Sequence, residues 1–396
     1  MGKTAVFVIK GNGFEGMEGE TAYRVIRRLV CEADDNTLDY FEVEKNGSLK
    51  TGDLLRYKDY DVFIFVYGIL FIIGESIGIL SEIVKNRGEF SVIVPVSNES
   101  RASHQSGVPP FFYQTTTALK WAVREMYKKF NDEVSEAHEI DDFCLALGKD
   151  ALNDLPEDCN LNDLPQIVKK SGLRLGIAKG VYVHRYGNCY ESGRTDLMAH
   201  VPLEAKDILD IGSAGGGLGG LLKKRQSCVV TGVDIDKELI KIARDKLDDV
   251  MHGDIEDLVD KGVLGIYDCI ICGDVLEHLN NPWKVVKGLK SHLRKGGLFI
   301  ASSPNIANWA IIQEMLQGEW SYVPFSILSG THIRFFTRKT FLELFEDSGY
   351  TIREVLLQSF DIPPGGVDFL ERLGRLMVGT KMDELKAHEI VVVAGS

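Results

Sequence analysis

The stretch Ile208-Leu-Asp-Ile-Gly-Ser-Ala-Gly-Gly-Gly-Leu-Gly-Gly-Leu-Leu222 constrains this chain more than any other part of it. A short apolar run closes on Asp210 and passes through six glycines, Gly212 to Gly220, into a helix start. Glycine admits φ > 0 and lets a ligand approach the main chain closely. The following helix offers its free N–H groups at the same place. That combination, a first parallel strand, a tight loop and a helix, predicts a nucleotide or nucleoside site in an open α/β sheet.

Carboxylates then recur at a regular interval. Asp210 is followed by Asp234, Asp254 and Asp274, at spacings of 24, 20 and 20 residues. One strand plus a covering helix takes about that length, so the acids are expected at successive strand ends, lining one crevice. Asp234 falls where a ribose hydroxyl pair needs an acceptor.

From these residues the chain resembles a class I S-adenosylmethionine-dependent methyltransferase, over roughly residues 182–394. The resemblance implies that Asp210, Gly212, Ser213, Ala214 and Gly215 hold the methionine part of the cofactor. Asp234 and Ile235 take the ribose end, Asp254 and Ile255 border the adenine, and Asp274 and Val275 face cofactor and acceptor. Ser213 stands where Cys or Gly is common. Upstream, Tyr190 and Arg194 match the family's entry segment, with Arg194 as partner for the methionine carboxylate. The implied fold is a doubly wound, seven-stranded Rossmann-like sheet, with 352–358 and 389–394 as its closing antiparallel pair. Between them, 362–378 is expected as a loop and amphipathic helix, with a face for the core or for a second subunit. Against this stands a nicotinamide dinucleotide enzyme, because residues 215–220 also fit G-x-G-x-x-G. The acids at 210, 254 and 274 favour the methyltransferase. A cofactor-binding, non-catalytic relative is the other alternative.

Acceptor chemistry is expected between 305 and 337. Asn305, Trp309, Trp320 and Arg334 are the candidate acceptor-binding residues, and Thr331-His-Ile-Arg-Phe-Phe-Thr337 contains His332. Imidazole titrates near neutrality, so His332 is the candidate base, with His278 of Asp274-Val-Leu-Glu-His278 as its rival. A helix capped by Thr337 or Thr340 follows. The segment resembles methyltransferases encoded with bacterial surface-polysaccharide genes, which implies a hydroxyl of a glycan as acceptor. A small lipid or metabolite is the alternative.

Residues 1–165 read as a smaller α/β domain of their own, ahead of 166–396. Strands are expected at 5–9, 61–66 and 90–94, and helices at 20–32, 76–86 and 116–129. The polar, proline-containing stretch 153–165 reads as the linker. Residues 92–98 and 140–152 are similar to the back half of inverting GT-A glycosyltransferases. Residues 65–70, Phe-Val-Tyr-Gly-Ile-Leu, lack the Asp-x-Asp that holds a sugar nucleotide's metal. A degenerate domain kept for acceptor binding or assembly is expected. Asp141 and Asp142 are either a remnant base or helix-start acids.

Composition narrows the partners. A net charge of −13 and no basic block argue against nucleic acid. Residues 62–80 carry one charge, but Gly68, Gly74, Glu75 and Gly78 interrupt them, so a strand, a turn and a helix at 75–85 are expected, not a membrane span. The start Met1-Gly-Lys-Thr-Ala shows no signal peptide, and a cytoplasmic enzyme is expected. Cys269 and Cys272 read as buried packing. No metal is expected.

Overall fold

The computed structural model describes residues 3–9, 38–43, 49–54, 56–67, 70–98, 105–107, 115–185, 193–323, 326–377, 379 and 381–396. The chain divides into two compact units, Met1–Gly187 with Ser321–Gly330, and Asn188–Trp320 with Thr331–Ser396.

The first unit is built on an eight-stranded sheet. Its strands are β1 (Lys3–Ile9), β2 (Leu38–Val43), β3 (Tyr60–Tyr67), β4 (Leu70–Phe71), β5 (Val92–Ser97), β6 (Val134–Ala137), β7 (Cys144–Gly148) and β8 (Leu175–Arg185). The order is β2-β1-β3-β7-β5-β8-β4, with β6 paired to β8. β1 runs parallel to β2 and β3, while β7 lies antiparallel between β3 and β5. β1 and β3 are nearly continuous apolar runs, as strands covered on both faces must be. The helix Gly74–Asn86 buries Ile77, Leu80, Ile83 and Val84, one stripe at helical spacing. The described part of 62–80 thus holds the end of β3, the two-residue β4 and the start of this helix, and among the described residues no helix is long and apolar enough to cross a membrane. The expected helix at 20–32 lies outside the described residues.

Two expectations for this unit are corrected. Residues 153–165 are not a linker. Leu155, Cys159, Leu161 and Leu164 are buried, and the stretch is hydrogen-bonded to Thr51 and Gly52 through Cys159 O and Glu157 O, both at 2.8 Å. The chain goes on to add β8 to the sheet, so the division falls near Gly187 and not at 165. Asp141 and Asp142 open no helix, for they precede β7. The Asp141 N–H donates to Gln105 Oε1 at 2.7 Å.

The second unit holds a seven-stranded sheet of β9 (Asp207–Ile211), β10 (Val229–Asp234), β11 (Asp249–His252), β12 (Tyr267–Gly273), β13 (Leu293–Pro304), β14 (Thr351–Gln358) and β15 (Glu389–Gly395). The order is β11-β10-β9-β12-β13-β15-β14, parallel except for β15, which is antiparallel to both neighbours. β15 therefore begins at the edge where β9, β10 and β12 end, and Glu389 registers with Pro304. Alternate residues serve opposite faces. Ile390, Val392 and Ala394 join one core with Phe299, Phe341 and Phe345, while Val391 and Val393 join another with Ile208, Leu222 and Ile271. Burial of each large side chain contributes on the order of 1.5–3 kcal/mol. Cys269 and Cys272 are buried in these cores. Thr337 caps the helix Arg338–Asp347 in a reciprocal capping box with Thr340.

Candidate functional site

The glycine loop is shaped by its backbone. Gly212 and Gly216 have φ of 71° and 75°, and Ala214 is left-handed at 46° despite its Cβ. A Cβ on Gly212 would come within 2.3 Å of Val275, so only glycine fits between the loop and the end of β12. Gly212 and Ser213 donate to Val233 O at 2.8 and 3.1 Å, which ties the loop to β10. Asp234 Oδ2 accepts from Ala214 N, and its Oδ1 from Asp236 N, each at 2.8 Å. Each oxygen keeps a lone pair, and the neighbouring Ile235 is 69% exposed. Asp210 is buried behind the loop, where its Oδ2, like Ser213 Oγ, has no hydrogen-bond partner. Burial, then the charge of Asp234, pushes the Asp210 carboxyl up to about 7 against the pull of Arg194.

Asp254 is not a strand end. It lies past β11 and caps the helix Ile255–Lys261, its carboxylate accepting from Glu256 N at 2.8 Å, while Ile255 is buried.

Arg194 gathers the other end of the crevice. Its Nη1 lies 2.5 Å from Asp274 Oδ2, and its Nη2 2.6 Å from Glu389 Oε1 and 2.8 Å from Asp196 Oδ2. Ser302 Oγ accepts from Arg194 at 3.2 Å and donates to Asp274 Oδ1 at 2.9 Å. Arg194 and Asp274 are both left-handed, with φ of 35° and 54°. Burial alone would raise Asp196, but hydrogen bonds from Arg194 and Gln358 hold it at about 2. Burial and the Asp274 charge push Glu389 up to about 8, with Arg194 opposing. The sequence pairs Arg194 with a ligand carboxylate, whereas the structure gives it three protein carboxylates. Tyr190, its expected companion, lies outside the described residues.

Beyond Asp274, the turn Leu276–His278 meets the segment 331–334. Glu277 O accepts from Ile333 N and Arg334 N at 3.0 and 2.9 Å, and Thr331 O lies 3.2 Å from His278 Nδ1. This brings His332 Nε2 to 3.9 Å from Glu277 Oε1, with the His278 and His332 rings edge to face at 4.7 Å. Both Glu277 and His332 are buried. Burial, followed by the Asp274 charge, raises the Glu277 carboxyl well above the usual range. Sequence spacing shows no metal cluster, yet donor atoms of Glu277, His278 and His332 all lie within 4.8 Å of one another. The three converge from two distant segments, which spacing along the chain does not reveal.

The other expected acceptor residues divide. Asn305 is buried, and its amide donates to Glu384 O and Ala387 O at 2.7 and 2.9 Å, so it anchors the approach to β15. Trp309 packs on the helix Pro364–Leu376, where a Cβ on Gly366 would meet its ring at 2.6 Å. Arg334 Nη2 donates to Asn280 O at 2.5 Å. Trp320 is exposed and stands edge-on to Phe335. Four residues with no role in the sequence reading belong to the site: Asp196, Glu277, Ser302 and Glu389. Glu389 leaves a trace, since it is a lone acid opening an otherwise apolar strand.

Residues 183–355 match the model of a family described as a methyltransferase domain. A ubiquinone biosynthesis O-methyltransferase of Xanthomonas campestris pv. campestris (strain B100) is 31% identical over 142 residues, 34% of this chain and 58% of that protein. One of the same name from Xylella fastidiosa (strain 9a5c) is 34% identical over 148 residues, 34% of this chain and 56% of the relative. The chain thus spans less than two thirds of these curated relatives. A SAM-dependent methyltransferase structure from Archaeoglobus fulgidus superposes with a TM-score of 0.37 and 18% identity, covering 51% of this chain and 92% of that one. The match to the methyltransferase-domain model falls mostly within the second unit.

Proposed function

We propose that this protein transfers a methyl group from S-adenosylmethionine to a hydroxyl oxygen. The residues present fit that cofactor: Asp234 has a free acceptor position on each oxygen, and Asp210 Oδ2 and Ser213 Oγ are buried polar atoms lacking a protein partner. Bound there, S-adenosylmethionine supplies a sulfonium-activated methyl group, so the protein's task is alignment and removal of one proton. His332 supports this reading most. It is a buried imidazole, a group able to take a hydroxyl proton, and its Nε2 lies 3.9 Å from Glu277 Oε1. We read Glu277, His278 and His332 as a base and its surroundings rather than a metal centre, because burial holds Glu277 in the neutral form, a poor cation ligand.

The acceptor we assign is a hydroxyl of a glycan, supported by the resemblance of 305–337 and by the exposed Trp320, whose face suits the apolar side of a sugar ring. The first unit is then a degenerate sugar-binding domain. Its β3 closes on Phe65, Val66 and Tyr67, the first two buried, where a metal-holding carboxylate would be needed. A second reading, a hydroxyl of a small metabolite, is favoured by the relatives named for ubiquinone biosynthesis. Mass spectrometry of surface glycans with and without the gene tests the first, which expects a 14-dalton loss from a sugar residue. Unchanged glycans, with label from methyl-labelled S-adenosylmethionine appearing on a small hydroxylated extract component, would support the second.

A further inference from the structure

Near the start of β14 the pairing with β15 slips by one residue. Ile352 registers with Ala394 and Glu354 with Val393, which leaves Arg353 as the extra residue of a bulge. Strand residues otherwise alternate between faces. Ile352, Val355 and Leu357 pack on the core that contains Phe299 and Phe341, and Leu356 packs on the core of Ile208 and Leu222. The bulge breaks that alternation between 352 and 355, so Arg353 and Glu354, adjacent in sequence, line one cavity together. The cavity measures about 680 Å³, and His200, Leu298, Val393 and Gly395 form part of its wall. It lies at the opposite end of the sheet from the glycine loop, because β15 begins where β9, β10 and β12 end and Gly395 is its last residue.

Gly395 makes room for the guanidinium. A Cβ there would stand 2.8 Å from Arg353 Nε and 3.4 Å from its Nη2, so the group lies against bare backbone. Glu354 does not neutralise it, since its Oε2 pairs with His200 Nδ1 at 3.2 Å. Among the described residues Arg353 has no ion pair or hydrogen-bond partner. A guanidinium with its donors unused takes an oxyanion in bidentate fashion. Leu298 and Val393 give the wall an apolar part. The Glu354 carboxylate in the same cavity opposes a second negative charge on a ligand, which favours a monoanion over a dianion.

We propose that this cavity is a binding site for a small organic monocarboxylate, its carboxylate on Arg353 and its hydrocarbon part on Leu298 and Val393. The site is separate from the methyl-transfer crevice and does not depend on the cofactor reading.

Saturation-transfer NMR titrations of the full chain with hexanoate, hexanol, hexylammonium and hexyl phosphate test this. Hexanoate should bind, and hexanol and hexylammonium should bind about tenfold more weakly or less, the loss of one charged hydrogen-bonded contact. Arg353→Gln, a change at an exposed side chain, should weaken hexanoate by about the same factor and erase its advantage over hexanol. Arg353→Lys, which keeps the charge without the fork, should fall between the two. Saturating S-adenosylmethionine should leave hexanoate bound. No hexanoate binding at millimolar concentration, equal affinities for hexanoate and hexanol, or hexanoate affinity unchanged in Arg353→Gln would overturn the proposal. Displacement of hexanoate by S-adenosylmethionine would do the same, since the anion would then occupy the crevice. Tighter binding of hexyl phosphate than of hexanoate would overturn the assignment to a monocarboxylate.

Discussion

Arg194 and Glu389, 195 residues apart in sequence, meet at 2.6 Å and join the entry of the second unit to its last strand. Removing one partner of such a group leaves the others uncompensated, typically at a cost of about 3–5 kcal/mol when buried. Arg194 is about a quarter exposed, which reduces this. Arg194→Gln should therefore lower the unfolding free energy by about 2–3 kcal/mol, and adding Glu389→Gln should restore part of the loss. Urea denaturation of the two variants checks it, and an additive double variant would deny the coupling.

The raised carboxyls set a pH dependence of stability. Asp210 at about 7 and Glu389 at about 8 hold protons that an unfolded chain, with carboxyls near about 4, has already lost. The native state binds more protons across that window, so stability falls as pH rises from about 4 through 8. Asp196 acts oppositely, contributing stability above the ordinary carboxylate range that is lost as pH falls toward about 2. Melting temperature should decline between pH 6 and 9, and the decline should be shallower in Glu389→Gln. A flat or rising profile would contradict this assignment.

Chelation separates two uses of the Glu277, His278 and His332 cluster. Burial and the Asp274 charge favour the neutral form of Glu277 over the anion a divalent cation prefers, so EDTA should leave methyl transfer unchanged. Activity lost to EDTA and restored by magnesium or manganese would identify the cluster as a metal centre.

What the sequence reveals here is what is local. The glycine loop, Asp234 at the end of β10 and the cap at Thr337 are signalled by neighbouring residues, and the closing pair β14 and β15 is implied by the family resemblance. The Arg194 group is not, because its partners lie 2, 80, 108 and 195 positions away on separate elements. Glu277 and His332 likewise lie far apart in sequence and are brought together by contacts between two separate segments. Regular spacing misleads at Asp254, since β11 is short and the acid falls on the helix cap beyond it. Composition misleads at 153–165, where a few buried apolar residues at irregular spacing outweigh a polar, proline-containing surface.

His332 and His278 compete for the role of base. A positioned base contributes about 10²–10⁴-fold, so His332→Ala should reduce kcat by that order while leaving cofactor affinity nearly unchanged. His332→Gln should not restore it, because an amide cannot take the proton. A larger kcat loss in His278→Ala, with His332→Ala near the parent, would move the base to the turn after β12.

Binding of S-adenosylmethionine at the glycine loop is the claim on which the rest depends, and titration calorimetry of the parent and Asp234→Ala tests it most directly. Asp234 should accept the ribose hydroxyls in charged hydrogen bonds, so the variant should bind about 1.5–3 kcal/mol more weakly. NAD should give no binding heat with the parent at millimolar concentration. Unchanged S-adenosylmethionine affinity in a folded Asp234→Ala protein, or NAD binding in its place, would contradict the assignment.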